Sequence, residues 1–456
     1  MARAKKDDDG IGGSKPPPEP RKRAKGAKGA ARAEGRRGAK GPGEPGGTLT
    51  LRYRPADLPS AQHRAGLAGL MVLADVLKRR GERDIPTFDA SQEGTLTVTL
   101  SKAANQKLFD EFFAAAYEET ESKALRKKKD KTPIPPKREV TTKDPTTGKS
   151  KTVFIYDDIV PAARFLKALG AGEPWLKLWR DVVLRIFRGV PATQIPFKDA
   201  SAGKPVGDAG SDWSELHRAE AANERGVRTT KVLPSTLYIG AQAHHADRVP
   251  FSGLPAENYL LTFWPVVAGL FVPQIVDRDG NRDFDGYLIA IPDVIDPCAF
   301  VTPFRAAIAD RSNDLEGYRP RESVISVPGE GALEYLHLLR LASAKSNLEE
   351  TAFALVGIEY FHMDKKGNNI RTLSSGRVRC DAGLLAQYEA LRGRYRDIRF
   401  RRRLMMNLLE QRPWYTGFGR DFARSDFHQF VGSRAESFAR SVRLKFSGGY
   451  AKGEKA

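Results

Sequence analysis

The sequence predicts an α+β protein, with a mixed α/β segment over residues 47–320 and a C-terminal helical bundle over 321–446. Three features carry this expectation. Short alternating apolar runs broken by Gly and Pro fill the first segment. Past residue 332 the apolar spacing lengthens to the helical period in three long pieces, 332–362, 381–411 and 419–445. Between the two lies 311–331, where Gly317, Pro320, Pro328, Gly329 and Gly331 mark the best candidate boundary. No internal repeat is present.

Taken in order, residues 1–46 are Lys, Arg, Gly, Pro and Ala and read as a disordered basic arm that cannot bury a core; 447–456 reads as a disordered tail. A short strand opens near Thr48, with Leu49, Leu51 and Tyr53 alternating against Thr50 and Arg52. Pro59–Ser60 starts a helix running to about Arg80. Strands follow at Ile85–Phe88 and Thr95–Leu100, then a helix from Ser101 to about Lys128. Residues 132–156 read as a hairpin, with Val140 and Thr142 facing Val153 and Ile155 across a turn set by Pro145 and Gly148. A helix is expected from Pro161 to Arg188, with Trp175 and Trp179 one turn apart, then a Gly/Pro-rich loop over 189–212. A short amphipathic helix spans Ser211 to Arg225. Within a β-rich patch from Lys231 to Ile291, Phe271–Val276 and Tyr287–Ile291 pair around Asp277–Gly286.

The chain has 456 residues and a net charge of +19, and the charge is clustered. Residues 1–46, 122–151 and 390–446 carry +7, +8 and +9, so the remainder is net negative. Clustered positive charge concentrates polyanions and speeds encounter with them. No run of eighteen apolar residues predicts a membrane span, and the N-terminus lacks the apolar stretch of a secretory signal. Two cysteines, Cys298 and Cys380, are too few for a disulfide framework or a four-cysteine zinc site. A reducing cytoplasm is the simplest compartment.

Along 381–411, Leu384, Tyr388, Leu391, Tyr395 and Ile398 form one apolar helical face. Arg392, Arg396, Arg399 and Arg403 follow the same spacing to one side, a stripe about 16 Å long on a continuous helix. It reads either as a track for phosphates or as a solvated face, although like charges at this spacing repel by a few tenths of a kcal/mol per pair. Arg420 and Arg424 interleave with Trp414, Tyr415, Phe418 and Phe422, a pattern that stacks unpaired bases or plugs a helix–helix turn. Lys127, Lys128 and Lys129, with Lys131, fall at the expected end of a helix, where cations suit the dipole and are free for phosphate.

Catalytic candidates are poor. Gly148-Lys149-Ser150 lacks the glycine that a phosphate loop needs, Lys143 standing in its place. Asp277, Asp279, Asn281, Asp283 and Asp285 alternate like calcium ligands, but Arg282 and Leu288 occupy the positions that need Gly and Glu. His244 and His245 are adjacent and on a strand would point apart. No catalytic residue, metal site or cofactor is assigned.

Two segments carry a resemblance. One is Leu58-Pro59-Ser60-Ala61-Gln62-His63-Arg64-Ala65-Gly66-Leu67-Ala68-Gly69-Leu70. The other runs from Ser235 through Tyr238-Ile239-Gly240-Ala241-Gln242-Ala243 to Phe251-Ser252-Gly253-Leu254-Pro255-Ala256-Glu257-Asn258, then Phe263-Trp264-Pro265 and Val272-Pro273-Gln274. Both resemble the CRISPR-associated large subunit, Cas-eight-like, of type I systems of the MYXAN variety. The resemblance implies a non-catalytic subunit of a guide-RNA surveillance complex in antiviral defence. Its partners would be guide RNA, target double-stranded DNA and its displaced strand, backbone subunits, and a recruited nuclease-helicase. Its role would be recognition of the motif beside the target and stabilisation of the opened duplex, the guide itself reading sequence. Gln62, His63 and Arg64 read either as RNA or subunit contacts or as the cap of a helix face that Gly66 and Gly69 let pack closely. The rivals are a free-standing basic RNA- or DNA-binding protein and a metal-dependent nuclease using Asp277–Asp285.

Overall fold

Alternation along β1 (Thr48–Tyr53) buries Leu49, Leu51 and Tyr53 and exposes the residues between them. α1 (Ala61–Arg79) follows, then β2 (Thr87–Ala90) and β3 (Leu96–Ser101), which close an antiparallel sheet in the order β1-β3-β2. The computed structural model describes residues 47–128, 130–143, 150–233, 236–240, 251–276, 282–345, 354–367, 369–392 and 398–420. The basic arm, the tail and nearly all of 419–445 lie outside these.

Ser101 caps α2 (Lys102–Phe112) by accepting from the Ala104 amide at 3.0 Å. The helix expected to reach Lys128 ends there, and β4 (Ala115–Ser122) takes its place. Long-range pairing overrides local helix propensity here: β4 runs antiparallel to β6 (Ser150–Pro161), which also pairs with β5 (Arg138–Lys143). The expected hairpin is therefore present, enlarged to three strands.

The helix expected over 161–188 is divided. α3 (Arg164–Ala168) and α4 (Glu173–Val182) flank Gly170, whose φ of +93° no helix accommodates, and a π-helical turn ends the run at Phe187. Trp175 and Trp179 are both buried. The expected loop at 189–212 contains α5 (Ile195–Ser201) and the start of α6 (Gly207–Asn223). β7 (Lys231–Val232), β8 (Ser252–Gly253) and α7 (Pro255–Leu260) lead to the central sheet.

That sheet has the order β10-β9-β11-β15-β16, with β14 pairing on β9. It is built from β9 (Gly269–Val276), β10 (Arg282–Phe284) and β11 (Tyr287–Val294), followed by α8 (Pro297–Ala309) and three short strands. These are β12 (Leu315–Glu316), β13 (Arg319–Pro320) and β14 (Val324–Ile325). Then come α9 (Pro328–Lys345), β15 (Leu355–Lys366), β16 (Asn369–Arg379), α10 (Ala382–Leu391) and α11 (Ile398–Leu409). All eight residues of β11 are buried, as a strand covered on both faces requires.

The C-terminal expectation needs correction in two places. The helix over 332–362 gives way after Lys345, and from Leu355 the chain is a β-hairpin that extends the same sheet. Val356, Ile358, Tyr360 and Phe361 are β-branched or aromatic residues suited to a pleated surface, and Gly367 turns at φ +63°. The helix over 381–411 is two helices, because Arg392 leaves helical geometry at φ −57°, ψ 124°. Gly393, the next residue, is the sequence signal for that break. The described part of 321–446 is thus a mixture of helix and strand, and its strands share a sheet with β9 and β11.

Candidate nucleic-acid interface

Pairing β4 with β6 sets Glu118 opposite Asp158 and Glu119 opposite Asp157. Like charges facing each other across a ladder destabilise it, so the sheet needs cations of its own. Arg126 grips Asp158 with two hydrogen bonds, 2.5 and 3.0 Å, and lies 4.5 Å over the Tyr156 ring. Lys137 bridges Asp157 at 3.0 Å and Glu119 at 3.1 Å, and Arg138 reaches Glu119 at 2.6 Å. Hydrogen bonding from Lys137 leads in holding the Glu119 carboxyl below its ordinary range. Burial works the other way at Asp158, but the bonds from Arg126 and Thr120 keep it low as well.

The lysines beside this sheet are placed differently. The expected helix end is absent, and Lys127 and Lys128 sit on a tight turn after β4. Lys127 bridges to Pro133, the Lys128 amide donates to Thr132 O at 2.8 Å, and Lys131 takes φ +67°. The Asp130 carboxylate accepts from the Thr132 amide at 3.0 Å. Lys123, Lys127, Lys128 and Lys131 are exposed, and among the described residues none has a carboxylate partner. Lys129 lies outside the described residues. The described cations within 122–138 therefore divide into those that neutralise the sheet and four exposed lysines, three of them on a hydrogen-bonded turn and Lys123 just before it. Lys123 extends the predicted set, and the charge count over 122–151 already contained it.

The arginine stripe is not a continuous track. Arg392 binds Glu334 of α9 through Nε at 2.8 Å and Nη2 at 2.6 Å, and Tyr388 donates its hydroxyl to the same carboxylate. One turn earlier on α9, Glu330 is wholly buried, accepts from the Ser326 amide at 2.6 Å, and is paired with Arg401. Two glutamates at i, i+4 thus hold α10 and α11 against α9. Burial alone would raise the Glu334 pKa, yet the bonds from Arg392 and Tyr388 pull it below the ordinary carboxylate range. Arg403 packs its guanidinium against the turn at Gly417. Arg396 and Arg424 lie outside the described residues, as does the side chain of Arg399. Arg402 and Arg420 are exposed. Phe400, Trp414 and Phe418 cluster at 5.1 and 5.7 Å, and Asn407 donates to Trp414 O and Thr416 O. Two of the interleaved aromatics therefore plug the end of α11, while Tyr415 is exposed. A cleft of about 690 Å³ opens beside this tie, lined among others by Arg282, Arg321, Arg392, Glu316 and Glu334.

The two segments that carried the resemblance pack on each other. A methyl group at Gly66 would collide with the Leu260 carbonyl, and one at Gly69 with that of Phe263, so both glycines let α1 lie against the chain around α7. Gln62 is buried and its amide both donates to Ile239 O and accepts from Ile239 N, each at 2.9 Å. His63 is buried against Tyr238, 2.8 Å from the Ser60 hydroxyl, and burial pushes its pKa down to about 4. Arg64 reaches Asp293 and donates to Leu58 O at 2.7 Å. These three side chains serve packing.

Of the alternating aspartates, Asp277, Asp279 and Asn281 lie outside the described residues, as do His244 and His245. Asp283 accepts from the Phe284 amide at 2.8 Å. Among the described residues no group of three or more His, Cys, Asp or Glu is placed to hold a metal, and no helix is long and apolar enough to cross a membrane.

Two family models match the chain. The type I-B CRISPR Cas8b N-terminal domain aligns with residues 85–349 and the type I-B CRISPR Cas8b C-terminal domain with 355–456. No curated protein matches it.

Proposed function

The chain belongs to the type I-B CRISPR Cas8b family, and on that premise we propose that it is the non-catalytic large subunit of a cytoplasmic RNA-guided surveillance complex. In this reading it binds guide RNA and target DNA, contributes to recognition of the motif beside the target, and stabilises the opened duplex for a recruited nuclease-helicase. The finer MYXAN assignment rests on the two resembling segments alone.

The observation that carries the nucleic-acid role is the lysine turn. Lys127, Lys128 and Lys131, exposed and without carboxylate partners among the described residues, sit on a loop whose base is fastened by Arg126 and Asp158, and Lys123 is exposed just before it. A fixed turn loses little conformational freedom when it meets a phosphate backbone. The exposed Arg402 and Arg420 are further phosphate contacts in this reading, whereas Arg392 belongs to the tie with Glu334.

Two measurements test this. The chain, tagged and expressed with its neighbouring genes and a repeat array, should retain RNA of uniform repeat-plus-spacer length and stoichiometric partners through a high-salt wash. Heterogeneous RNA that washes away without partners would leave only a free-standing basic binder. Replacing Lys123, Lys127, Lys128 and Lys131 with Gln should reduce duplex affinity and flatten the log–log salt slope by up to about 3.6. An unchanged slope removes the turn from the interface.

A further inference from the structure

Strands β12 and β13 form a hairpin whose two-residue turn is Gly317-Tyr318. Gly317 adopts φ +63°, which glycine takes without steric cost. Tyr318 is 62% exposed, yet its ring is held. Phe284 of β10 meets it edge-on at 5.3 Å and 86°, and the Arg319 guanidinium lies 4.7 Å from its centroid. Arg319 is itself buried, donating to Asp181 at 2.6 Å and to the Tyr287 hydroxyl at 3.0 Å. The result is an aromatic ring presented to solvent on a short hairpin, with a fixed cation against it.

Among the described residues two other tyrosines are as exposed. Tyr117 has no ring or cation against it among the described residues, and Tyr415 meets only Trp414, edge-on at 5.8 Å. Among the described residues only Tyr318 combines exposure with this support. A ring already ordered by its neighbours stacks on a flat partner at little further entropic cost. Local charges decide what kind of flat partner. Arg321 is exposed three residues further along the chain, and Arg282 meets Glu316 at 3.2 Å while keeping more than half its side chain in solvent. Arg185 is close enough to act on the Tyr287 hydroxyl. Asp181 and Glu316 are engaged, by Arg319 and by Arg282 with Gln274, and Asp314 and Asp283 remain as exposed acids. Cations flank the ring, but the ring is the organised element.

We infer that Tyr318 is a stacking platform for one unpaired nucleobase of a single strand crossing this hairpin, with Arg321 and Arg282 as its phosphate contacts. This rests on the nucleic-acid role proposed above and names a site and ligand class within it. Stacking on an aromatic ring tolerates any base, because every base has a π face. The site therefore holds a strand without reading it.

The test compares full-length protein binding to short oligo(dT) and to an abasic strand of equal length and charge, by fluorescence anisotropy. The wild type should prefer oligo(dT). Tyr318→Ala should weaken oligo(dT) binding on the order of tenfold and leave the abasic strand unaffected, while Tyr318→Phe keeps the wild-type preference and reports that the hairpin still folds. Equal loss on both strands in Tyr318→Ala, or no loss on either, overturns the platform, as does Tyr318→Ala that only weakens retention of partner proteins. If the wild type binds neither strand, the nucleic-acid role itself fails, a result distinct from the others.

Discussion

Replacing Arg392 with Gln separates a phosphate contact from a structural tie. Arg392 stands outside helical geometry, so helix propensity does not enter and the effect arises from the lost charge and its hydrogen bonds. In the native fold the Glu334 side chain is 6% exposed and receives two charge-assisted bonds from Arg392. Removing one partner of a buried pair costs about 3–5 kcal/mol. Arg392 is 35% exposed, which lowers the expectation to about 2–3 kcal/mol. The double variant Arg392→Gln with Glu334→Gln leaves no stranded carboxylate and should recover most of the loss. Urea midpoints at neutral pH measure both. A carboxyl held below its unfolded value contributes stability above that value and loses it as pH falls. The gap between wild type and Arg392→Gln should therefore close below about pH 4.5, the ordinary value for this group. The salt slope of DNA binding should not move. Unchanged stability together with a slope reduced by about 0.9, one phosphate contact, would refute the tie.

Three further outcomes follow from the same contacts. Gly66→Ala forces α1 away from the Leu260 carbonyl and should cost about 1–3 kcal/mol or more, read as a lowered denaturation midpoint; full stability would mean that this contact is not close. His63 has its folded pKa lowered from 6.5 to about 4 by burial, so the neutral ring's contribution is fully present above pH 6.5 and is lost as pH falls toward 4. This predicts a decline of about 3 kcal/mol across that window, flattened in His63→Gln; a wild-type profile with no such slope counts against it. Arg126→Gln should cost only about 1 kcal/mol overall, since the pair with Asp158 is partly exposed, but should speed hydrogen exchange at the Lys128 and Lys131 amides, and unaltered exchange there would show that the turn does not depend on Arg126.

Elements whose own periodicity decides them were legible. β1 alternates, α1 carries an uninterrupted apolar face, and the β5–β6 hairpin announces its turn. Boundaries set by distant partners were not. Ala115–Ser122, with its run of glutamates, reads as helix until β6 is beside it, and only then do Arg126, Lys137 and Arg138 acquire their task. The arginine spacing along 381–411 was real, but the carboxylates that claim Arg392 and Arg401 lie 58 and 71 residues away, beyond any local pattern. Gly66 and Gly69 were legible as packing glycines because close approach is what glycine repeated along a helix offers. Tyr318 gave no signal: one tyrosine in a Gly/Pro-rich stretch acquires meaning only from Phe284 and Arg319.

β11 has consequences for how the chain divides. The two family models meet between residues 349 and 355, yet β11 on one side pairs along its whole length with β15 on the other. A piece ending at 349 would leave the long edge of a fully buried strand without its neighbour, an invitation to intermolecular pairing and aggregation. The complementary piece would carry the matching strand with nothing to rest on. The two halves named as separate domains are therefore one folding unit: made apart they should each be insoluble, and made together in one cell they should reconstitute through a single strand-to-strand seam.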